Sequence, residues 1–311
     1  MRITFLGTSA GVPTRARNVS AAALRLPQRA EVWLFDCGEA TQHQIQRTDL
    51  RLSQITRVLI SHLHGDHVFG LMGLVASSGL AGASQPIRLY GPAGLREFVQ
   101  TSARLTRTLI TDALTFQTAE PGTLYEDDEF KITCQTLRHR VPAFGYRVTE
   151  KDRAGHFDVG RARTLGIPEG PLYGRLKRGE SVTLADGRTF DGSELCGPTI
   201  KGRSFVYCTD TTYCANAVAL AEDVDVLVHE ATFADEDEPL ARQSAHSTAS
   251  EAARVAREAR ARRLVLTHVS PRYAPGNPIE LPRLLEQARA VFPDTIIAED
   301  FMSLEVPRRE E

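Results

Sequence analysis

Six residues with metal-binding or acid–base side chains each stand at or just past the C-terminal end of an apolar run: Asp36, His62, His139, Asp210, His229 and His268. The runs are short, VLI before SHLHGDH (61–67) being typical, and helical patterns are interspersed with them. Polar residues gathered at strand ends, on loops held by packed sheets, are what an active site requires. One such residue would mean little, but six predict a shared cleft. The chain is therefore expected to be a layered α/β protein, with mixed sheets inside and helices outside.

Strands are predicted over 2–6, 20–26, 31–36, 57–60, 87–89, 130–137, 143–148, 204–208, 225–229, 263–267 and 295–298. Helices fit 40–49, 67–80, 92–106, 213–221, 247–262 and 280–291. The clearest helix opens in AHSTASEAARVAREARARR, where Thr248 and Glu251 have capping-box spacing and alanines and arginines follow. A single domain over 1–311 is expected, interrupted by one unusual segment. From 150 to 198 the chain is rich in Gly, Pro and charge and poor in apolar periodicity, and it reads as an irregular insertion. Within 151–182 there are seven Lys/Arg against four acids, a local excess of +3 in a protein whose net charge is −2.

That weakly negative total gives no global sign of a polyanion partner, though a local basic patch can be masked by acidic surface elsewhere. No run of 18 or more apolar residues occurs, so no membrane-spanning helix is expected, and the opening MRITFLGTSAG is too short for a signal-peptide core. The five cysteines are odd in number and lack CxxC spacing, which suits free thiols in the cytoplasm.

Three of the nine histidines fall in SHLHGDH. His62 and His64 are two apart and can converge on one ion, while Asp66 and His67 diverge from them and can reach a second. Imidazole suits zinc, and carboxylates bridge well between cations. Two four-coordinate ions need more ligands than this loop holds, and His139, Asp210 and His268 are the candidates. The simplest assignment gives His62, His64 and His139 to the first ion and Asp66, His67 and His268 to the second, with Asp210 between them. Room then remains for a shared water, as a catalytic site requires, and two metals can activate that water and stabilise an in-line displacement. Asp66 is the candidate to orient the nucleophile or take its proton. Hydrolysis follows from this pattern; the bond to be broken does not.

HxHxDH with later His, Asp and His at these intervals resembles the metallo-β-lactamase superfamily, which implies a four-layer αββα sandwich. Further stretches are similar to the bacterial short form of the ribonuclease Z family, the tRNA 3′-processing endonucleases. They are FLGTSAGVPTRARN (5–18), LFDCGEATQHQ (34–44), LISHLHGDHVFGLMGL (59–74), YCTDTTYC (207–214), HEATF (229–233), AHSTASEA (245–252) and THVSPRY (267–273). The 150–198 insertion falls where that family carries a flexible arm that clasps tRNA away from the active site, and GPLYGRLKRGESV (170–182) is similar to the arm's pattern.

The resemblance implies a zinc-dependent endoribonuclease that cuts precursor tRNA beside the discriminator base, leaving a tRNA 3′-hydroxyl and a trailer 5′-phosphate. It implies two Zn2+ per subunit, with Mn2+ or Fe2+ acceptable to the same ligands, and a homodimer. His246 is then free to protonate the leaving 3′ oxygen, with Glu230 orienting its ring and favouring its charged form. Asp36 and His229 are expected to orient ligating imidazoles. Arg15, Arg17 and Asn18 of PTRARN, Ser270, Arg272 and Tyr273 of the last motif, and Arg175, Lys177 and Arg178 of the arm are the expected substrate contacts. His43 and His156 are read as ordinary surface residues. Two positions depart from the family pattern: Arg15 stands in a lysine position of the loop near the tRNA 3′ end, and Ala40 stands where glycine is usual. A small-molecule phosphodiesterase or sulfatase on the same fold would need neither PTRARN nor the basic arm. An RNA-binding protein with a structural metal would not need Asp66.

Overall fold

The computed structural model describes residues 1–80, 86–109 and 114–308. The chain divides into two compact units. The larger comprises Met1–Tyr125, Ile132–Val148 and Ser204–Pro307, and the smaller comprises Glu126–Lys131 and Thr149–Arg203 with Arg308.

In chain order the strands of the first half are β1 (Arg2–Gly7), β2 (Ala21–Leu26), β3 (Glu31–Phe35), β4 (Ile55–Leu59), β5 (Ile87–Gly91), β6 (Leu114–Thr118), β7 (Gly122–Glu126), β8 (Phe130–Leu137) and β9 (Ala143–Glu150). After a small hairpin of β10 (Ser181–Thr183) and β11 (Thr189–Asp191) come β12 (Ser204–Cys208), β13 (Val226–Glu230), β14 (Leu264–Thr267), β15 (Thr295–Ile297) and β16 (Ser303–Glu305). Two seven-stranded sheets result, in the orders β16-β1-β2-β3-β4-β5-β6 and β15-β14-β13-β12-β9-β8-β7. The first is mixed, antiparallel from β16 to β3 and parallel from β3 to β6. In the second, β12 to β15 run parallel.

The two sheets meet face to face through aromatic side chains. The Phe35 ring on β3 lies 5.1 Å from Phe205 and 5.3 Å from Tyr207 on β12. Tyr146 on β9 donates its hydroxyl to Ile60 O at 2.6 Å, which satisfies the polar end of a fully buried ring. Helices cover both outer faces. On the first sheet α1 (Thr41–Gln46), α2 (Gly65–Val68), α3 (Leu71–Leu80) and α4 (Leu95–Thr106) supply Ile45, Val68, Leu71, Leu74 and Val99 to a core with Val58 and Leu89. α5 (Val159–Thr164) and α6 (Pro171–Lys177) belong to the smaller unit. On the second sheet α7 (Ala215–Leu220), α8 (Glu238–Ser244), α9 (Ala249–Glu258) and α10 (Leu281–Val291) follow the parallel strands. Here Ala249, Ala252, Ala253 and Ala256 of α9 pack with Leu227, Leu264 and Leu266. The expected αββα sandwich is present.

The capping box of α9 forms as its sequence predicts, with Glu251 N donating to Thr248 Oγ1 and Thr248 N donating to Glu251 Oε2. The helix expected over 67–80 is instead two, α2 and α3, broken at Gly70. Gly70 N donates to Cys37 O at 2.9 Å, and a Cβ there would lie 2.0 Å from Gly38 O. The chain bends because that close approach, available only to glycine, pins the start of α3 to the end of β3. The helix expected over 40–49 shortens to α1, ending at Gln46 and starting only at Thr41 because Ala40 takes φ 60°. That left-handed conformation is the physical reason glycine is usual there, and alanine bears a cost on the order of 1 kcal/mol. Strands β6, β7, β10, β11 and β16 and helices α5, α6 and α8 were not predicted from the sequence.

The segment 150–198 is a correction of a different kind, because it is not irregular. α5, α6 and the β10–β11 hairpin close on their own small core of Phe157, Ala162, Ile167, Leu176, Val182 and Leu195. The two ends of the segment are joined by two isolated antiparallel bridges, Arg153 with Ile200 and Phe157 with Cys196. All five cysteines are free. Among the described residues no helix is long and apolar enough to cross a membrane.

Candidate metal centre

The strand β4 delivers the SHLHGDH loop. Its backbone is fixed to the end of β3, with Cys37 N donating to His67 O at 2.8 Å. Asp36, Asp210 and His268 all follow strands and all take positive φ, at 55°, 36° and 55°. Asp and His tolerate that region better than branched residues, and such strain concentrates at functional sites. His139 lies two residues beyond β8, Asp210 two beyond β12 and His268 directly after β14.

Among the described residues three groups could hold a metal, and within each the candidate ligand atoms lie within 4.8 Å of one another: His62, His64, His139 and Asp210; Asp66, His67 and His268; and Asp210, His246 and His268. His62 Nε2 is 2.9 Å and His139 Nε2 3.3 Å from His64 Nδ1. Asp210 Oδ2 faces the same trio, 3.5 Å from His62 Nε2 and 3.8 Å from His139 Nε2. Its other oxygen, Oδ1, is 3.1 Å from His67 Nε2 and 3.2 Å from His268 Nε2. Asp66 Oδ2 lies 3.4 Å from each of those same two nitrogens. Four of these residues, His62, His64, Asp66 and His67, come from the one loop after β4, and His139, Asp210 and His268 reach them from three other strand ends.

The partners of the imidazoles decide whether the donor set fits a cation. His67 Nδ1 donates to Asp36 Oδ2 at 2.7 Å and His139 Nδ1 donates to Ala245 O at 2.8 Å. Ser61 Oγ gives its proton to Asp36 and so accepts from His62 Nδ1 at 3.0 Å. Thr232 Oγ1 donates to Glu230 Oε2 at 2.6 Å and accepts from His268 Nδ1 at 3.0 Å. With Nδ1–H committed on all four rings, four Nε2 lone pairs point at one another and at two carboxylates. Asp210 Oδ1 is buried without a hydrogen-bond partner among the described residues. Such a convergence of lone pairs is repulsive unless a cation sits among them. Ligands 2.0–2.1 Å from a tetrahedral ion stand about 3.3–3.4 Å apart, the middle of the observed range. The residues present fit bound metal.

The electrostatics agree. Burial opposes charge on His62 and, with His67 beside it, pushes its pKa down to about 2. Burial also opposes charge on His67, yet Asp210 and Asp36 on either side outweigh it and hold its pKa well above the ordinary value. The cavity therefore demands positive charge between those carboxylates. Burial would raise Asp66, but hydrogen bonds from His268 and His67 hold it far below the usual carboxylate range. Asp36, fully buried, also accepts from Ser61 N and Tyr207 Oη, so it fixes both the SHLHGDH loop and the His67 ring. The conservative variant Asp36→Asn keeps size and backbone preference but turns a donor toward His67 Nδ1. Metal affinity should fall roughly 10- to 100-fold, read by competition with a chromogenic chelator.

His246 sits in the turn between α8 and α9, one residue after Ala245, whose carbonyl holds His139. Its Nδ1 donates to Glu230 Oε1 at 2.9 Å, and its Nε2 lies 3.9 Å from Asp210 Oδ2. Glu230 is itself fixed, accepting from Thr211 N at 2.8 Å and Thr232 N at 3.0 Å. Burial opposes charge on His246, but the Glu230 carboxylate prevails and raises its pKa to about 9. His229 does not orient a ligand, contrary to expectation. Neighbours on a strand face opposite ways, and with Glu230 toward the site His229 shares the opposite face with Leu227, which packs with the alanines of α9. Its Nδ1 bonds Glu230 O at 2.7 Å and its Nε2 has no hydrogen-bond partner among the described residues. His43 and His156 are exposed, as expected.

The residues expected to touch substrate divide. Loop 9–18 is closed on itself by Ser9 N donating to Asn18 O and joined to loop 267–273 by Ala10 N donating to Val269 O, and the two loops border a cavity of about 250 Å³ that Arg17 and Ser270 line. Arg15 is exposed, with no polar partner among the described residues. Arg17 instead points inward, donating through Nη1 to Thr8 Oγ1 and Ala298 O, and Asn18 Nδ2 donates to Glu39 O. Ser270 Oγ accepts from Arg272 N, and the Arg272 guanidinium pairs with Asp237 at 2.9 Å. Tyr273 is not available for phosphate, because its buried hydroxyl donates to Asp237 and accepts from Ala234 N. In the smaller unit Arg175 and Arg178 share Glu180, while Lys177 is exposed. Sequence reading missed Ser61, Thr232 and the Ala245 carbonyl. Hydroxyls directly beside HxHxDH and HEA were the available signal for the first two; a backbone carbonyl leaves none.

Two facing mixed sheets with helices outside, and a His/Asp cluster gathered where strands end, define a metal-dependent hydrolase of the metallo-β-lactamase class. A family profile described as a Beta-lactamase superfamily domain matches residues 175–269, and one described as Anti-Pycsar protein Apyc1 matches residues 1–140. The chain is 62% identical over 311 residues, all of its length and 97% of the relative's, to a ribonuclease Z of Nostoc sp.. It is 60% identical over 308 residues, 99% of its length and 97% of the relative's, to a ribonuclease Z of Gloeothece citriformis. The crystal structure of the short form of human tRNase Z matches with a TM-score of 0.66 at 31% identity, covering 99% of this chain and 100% of that one. The chain belongs to the ribonuclease Z family.

Proposed function

We propose that this chain is an endoribonuclease that removes the 3′ trailer of precursor tRNA by hydrolysis next to the discriminator base. The products are a tRNA 3′-hydroxyl and a trailer 5′-phosphate. One observation carries the reading: a partly buried His246, held by the buried Glu230, sits against the carboxylate of Asp210 that faces both groups of metal-capable imidazoles. Its membership of the family supplies the substrate.

His62, His64 and His139 would hold one ion, Asp66, His67 and His268 a second, and Asp210 would face both. We assign two Zn2+ per subunit, with Mn2+ or Fe2+ compatible with the same ligands. Bound divalent ions supply Lewis acidity, lowering the pKa of water and neutralising charge on phosphate oxygens. Asp66, steadied by Gly11 N at 2.9 Å, takes a proton from the attacking water. The P–O3′ bond breaks, and His246 Nε2 delivers a proton to the departing 3′ oxygen while Glu230 balances its charge. Arg15, Ser270 and Arg272 border the path of the RNA, with Arg17 and Asn18 shaping the loop from within. A homodimer working in the cytoplasm completes the reading.

Metal-loaded protein incubated with end-labelled precursor tRNA tests it. A single cut beside the discriminator with the stated termini is the expected result; no cut, or a cut elsewhere, overturns it.

We assign the 150–198 segment to the tRNA, with Arg175, Lys177 and Arg178 on backbone phosphates. Because Arg153 and Ile200 form a hydrogen-bonded antiparallel pair, residues 154–199 can be exchanged for a two-residue Asn-Gly turn. The shortened protein should still hydrolyse bis(p-nitrophenyl) phosphate. Its kcat/KM on precursor tRNA should fall roughly 10- to 100-fold, with a log–log salt dependence shallower by about 2–3. Equal losses on both substrates would remove the segment from RNA binding.

A further inference from the structure

Large apolar side chains stand exposed at five places among the described residues: Val12, Phe69, Leu105, Leu109 and Val159. Scattered singly, such residues need no explanation. Two of the five, from separate parts of the chain, flank one residue of the metal centre. Val12, 58% exposed, follows Gly11, whose N–H donates to Asp66 Oδ2 at 2.9 Å. Phe69, 64% exposed, lies three residues beyond Asp66 and caps the one-turn helix α2 in helical conformation, so the two side chains share a face at roughly 5–6 Å between Cβ atoms.

Folding does not need an aromatic ring at this position. The neighbours Val68 and Leu71 are fully buried and make the contact with the core. Phe69 turns the other way, and its ring folds back on the chain between His64 and Asp66. Phe69 N donates to Gly65 O at 2.9 Å, and a Cβ on Gly65 would meet ring carbons Cε2 at 2.2 Å and Cδ2 and Cζ at 2.6 Å. Glycine between the two ligands thus lets an aromatic edge rest directly on the metal-binding loop while most of the ring faces water. A flat apolar surface held beside the metal centre fits a flat apolar ligand, and in RNA the nearest one to a phosphate is the base of an adjoining nucleotide.

We propose that Phe69 is a stacking platform for a nucleobase flanking the cleaved phosphate, with Val12 bordering the same mouth. This rests on the ribonuclease reading above and adds to it a side chain that places the RNA by a base rather than by charge. Stacking on an aromatic tolerates any base, so the contact would position the chain at the cut without reading its sequence.

A double-mutant cycle tests the contact. Phe69→Ala, Phe69→Leu and Phe69→Tyr, each with metal content measured, are assayed on end-labelled precursor tRNA. Two further precursors lack a single base, one at the discriminator and one at the first trailer nucleotide. Phe69→Ala should lower kcat/KM roughly 5- to 100-fold on the intact precursor, and Phe69→Tyr should stay within about threefold of the parent. One of the two abasic precursors should depress the parent protein by a similar factor and lose nothing further with Phe69→Ala. If Phe69→Ala fails to fold or loses metal, Phe69→Leu, which fills the volume without a ring face, takes its place in the cycle. Losses that multiply for both abasic precursors, or a Tyr variant as poor as the Ala variant, overturn the platform while correct cleavage by the parent leaves the ribonuclease reading standing. A parent protein that leaves the intact precursor uncut overturns that reading instead.

Discussion

Replacing Asp210 by asparagine should leave the protein folded, short of bound metal and at least about 10³-fold slower on precursor tRNA. Asparagine tolerates the φ of 36° at this position and nearly matches the aspartate in volume, so backbone and packing are kept. What changes is the pair of oxygens. Oδ2 faces His62 and His139 while Oδ1 faces His67 and His268, all within 3.8 Å. An amide offers one ligating oxygen and turns N–H bonds toward imidazole lone pairs on the other side. A carboxylate shared between two ions contributes several kcal/mol of charge stabilisation, and each ~1.4 kcal/mol is tenfold in rate. Metal per subunit by mass spectrometry, the melting temperature and a single-turnover rate decide the matter. Full metal occupancy with a rate near the parent's would show that Asp210 does not link the two groups.

The candidate ligands could be read from sequence because the loops that carry them follow runs whose burial is unambiguous. Val58, Leu59 and Ile60 are completely buried, so the histidines after them had to emerge at a sheet edge. Sequence order then supplied the rest, since Asp210 and His268 follow equally buried strands. The 150–198 segment was opaque for the opposite reason. Its core residues Phe157, Ala162, Ile167, Leu176, Val182 and Leu195 are isolated along the chain and meet only after it folds back, so no local period records them. β6 and β7, LTFQT and GTLYE, mix polar and apolar residues without strict alternation. His229 was misread although the signal was there: one strand cannot turn two consecutive side chains to the same face, and Glu230 has the inward one. The inward turn of Arg17 could not be read, because a basic residue in a loop looks the same in sequence whether it faces solvent or a buried carbonyl.

His246 is where the chemistry of bond breaking is most exposed to test. Its alanine variant should keep its metal, because His246 lies outside the two groups assigned to ions, yet lose about 10²- to 10⁴-fold in kcat as general acids do. The alternative grouping of Asp210, His246 and His268 makes metal content a real test: loss of metal in the variant would make His246 a ligand rather than the acid. Leaving-group chemistry separates the two more sharply. A precursor with sulfur in place of the bridging 3′ oxygen departs as a thiolate that needs no proton, so the penalty for losing His246 should nearly vanish on it. Loss of metal would impair both substrates alike. Glu230→Gln keeps an acceptor for His246 Nδ1 but not the charge that favours the imidazolium, and it should fall between the parent and His246→Ala on the oxygen substrate. On the sulfur substrate all three proteins should converge, because the step that the pair assists has been removed from the reaction.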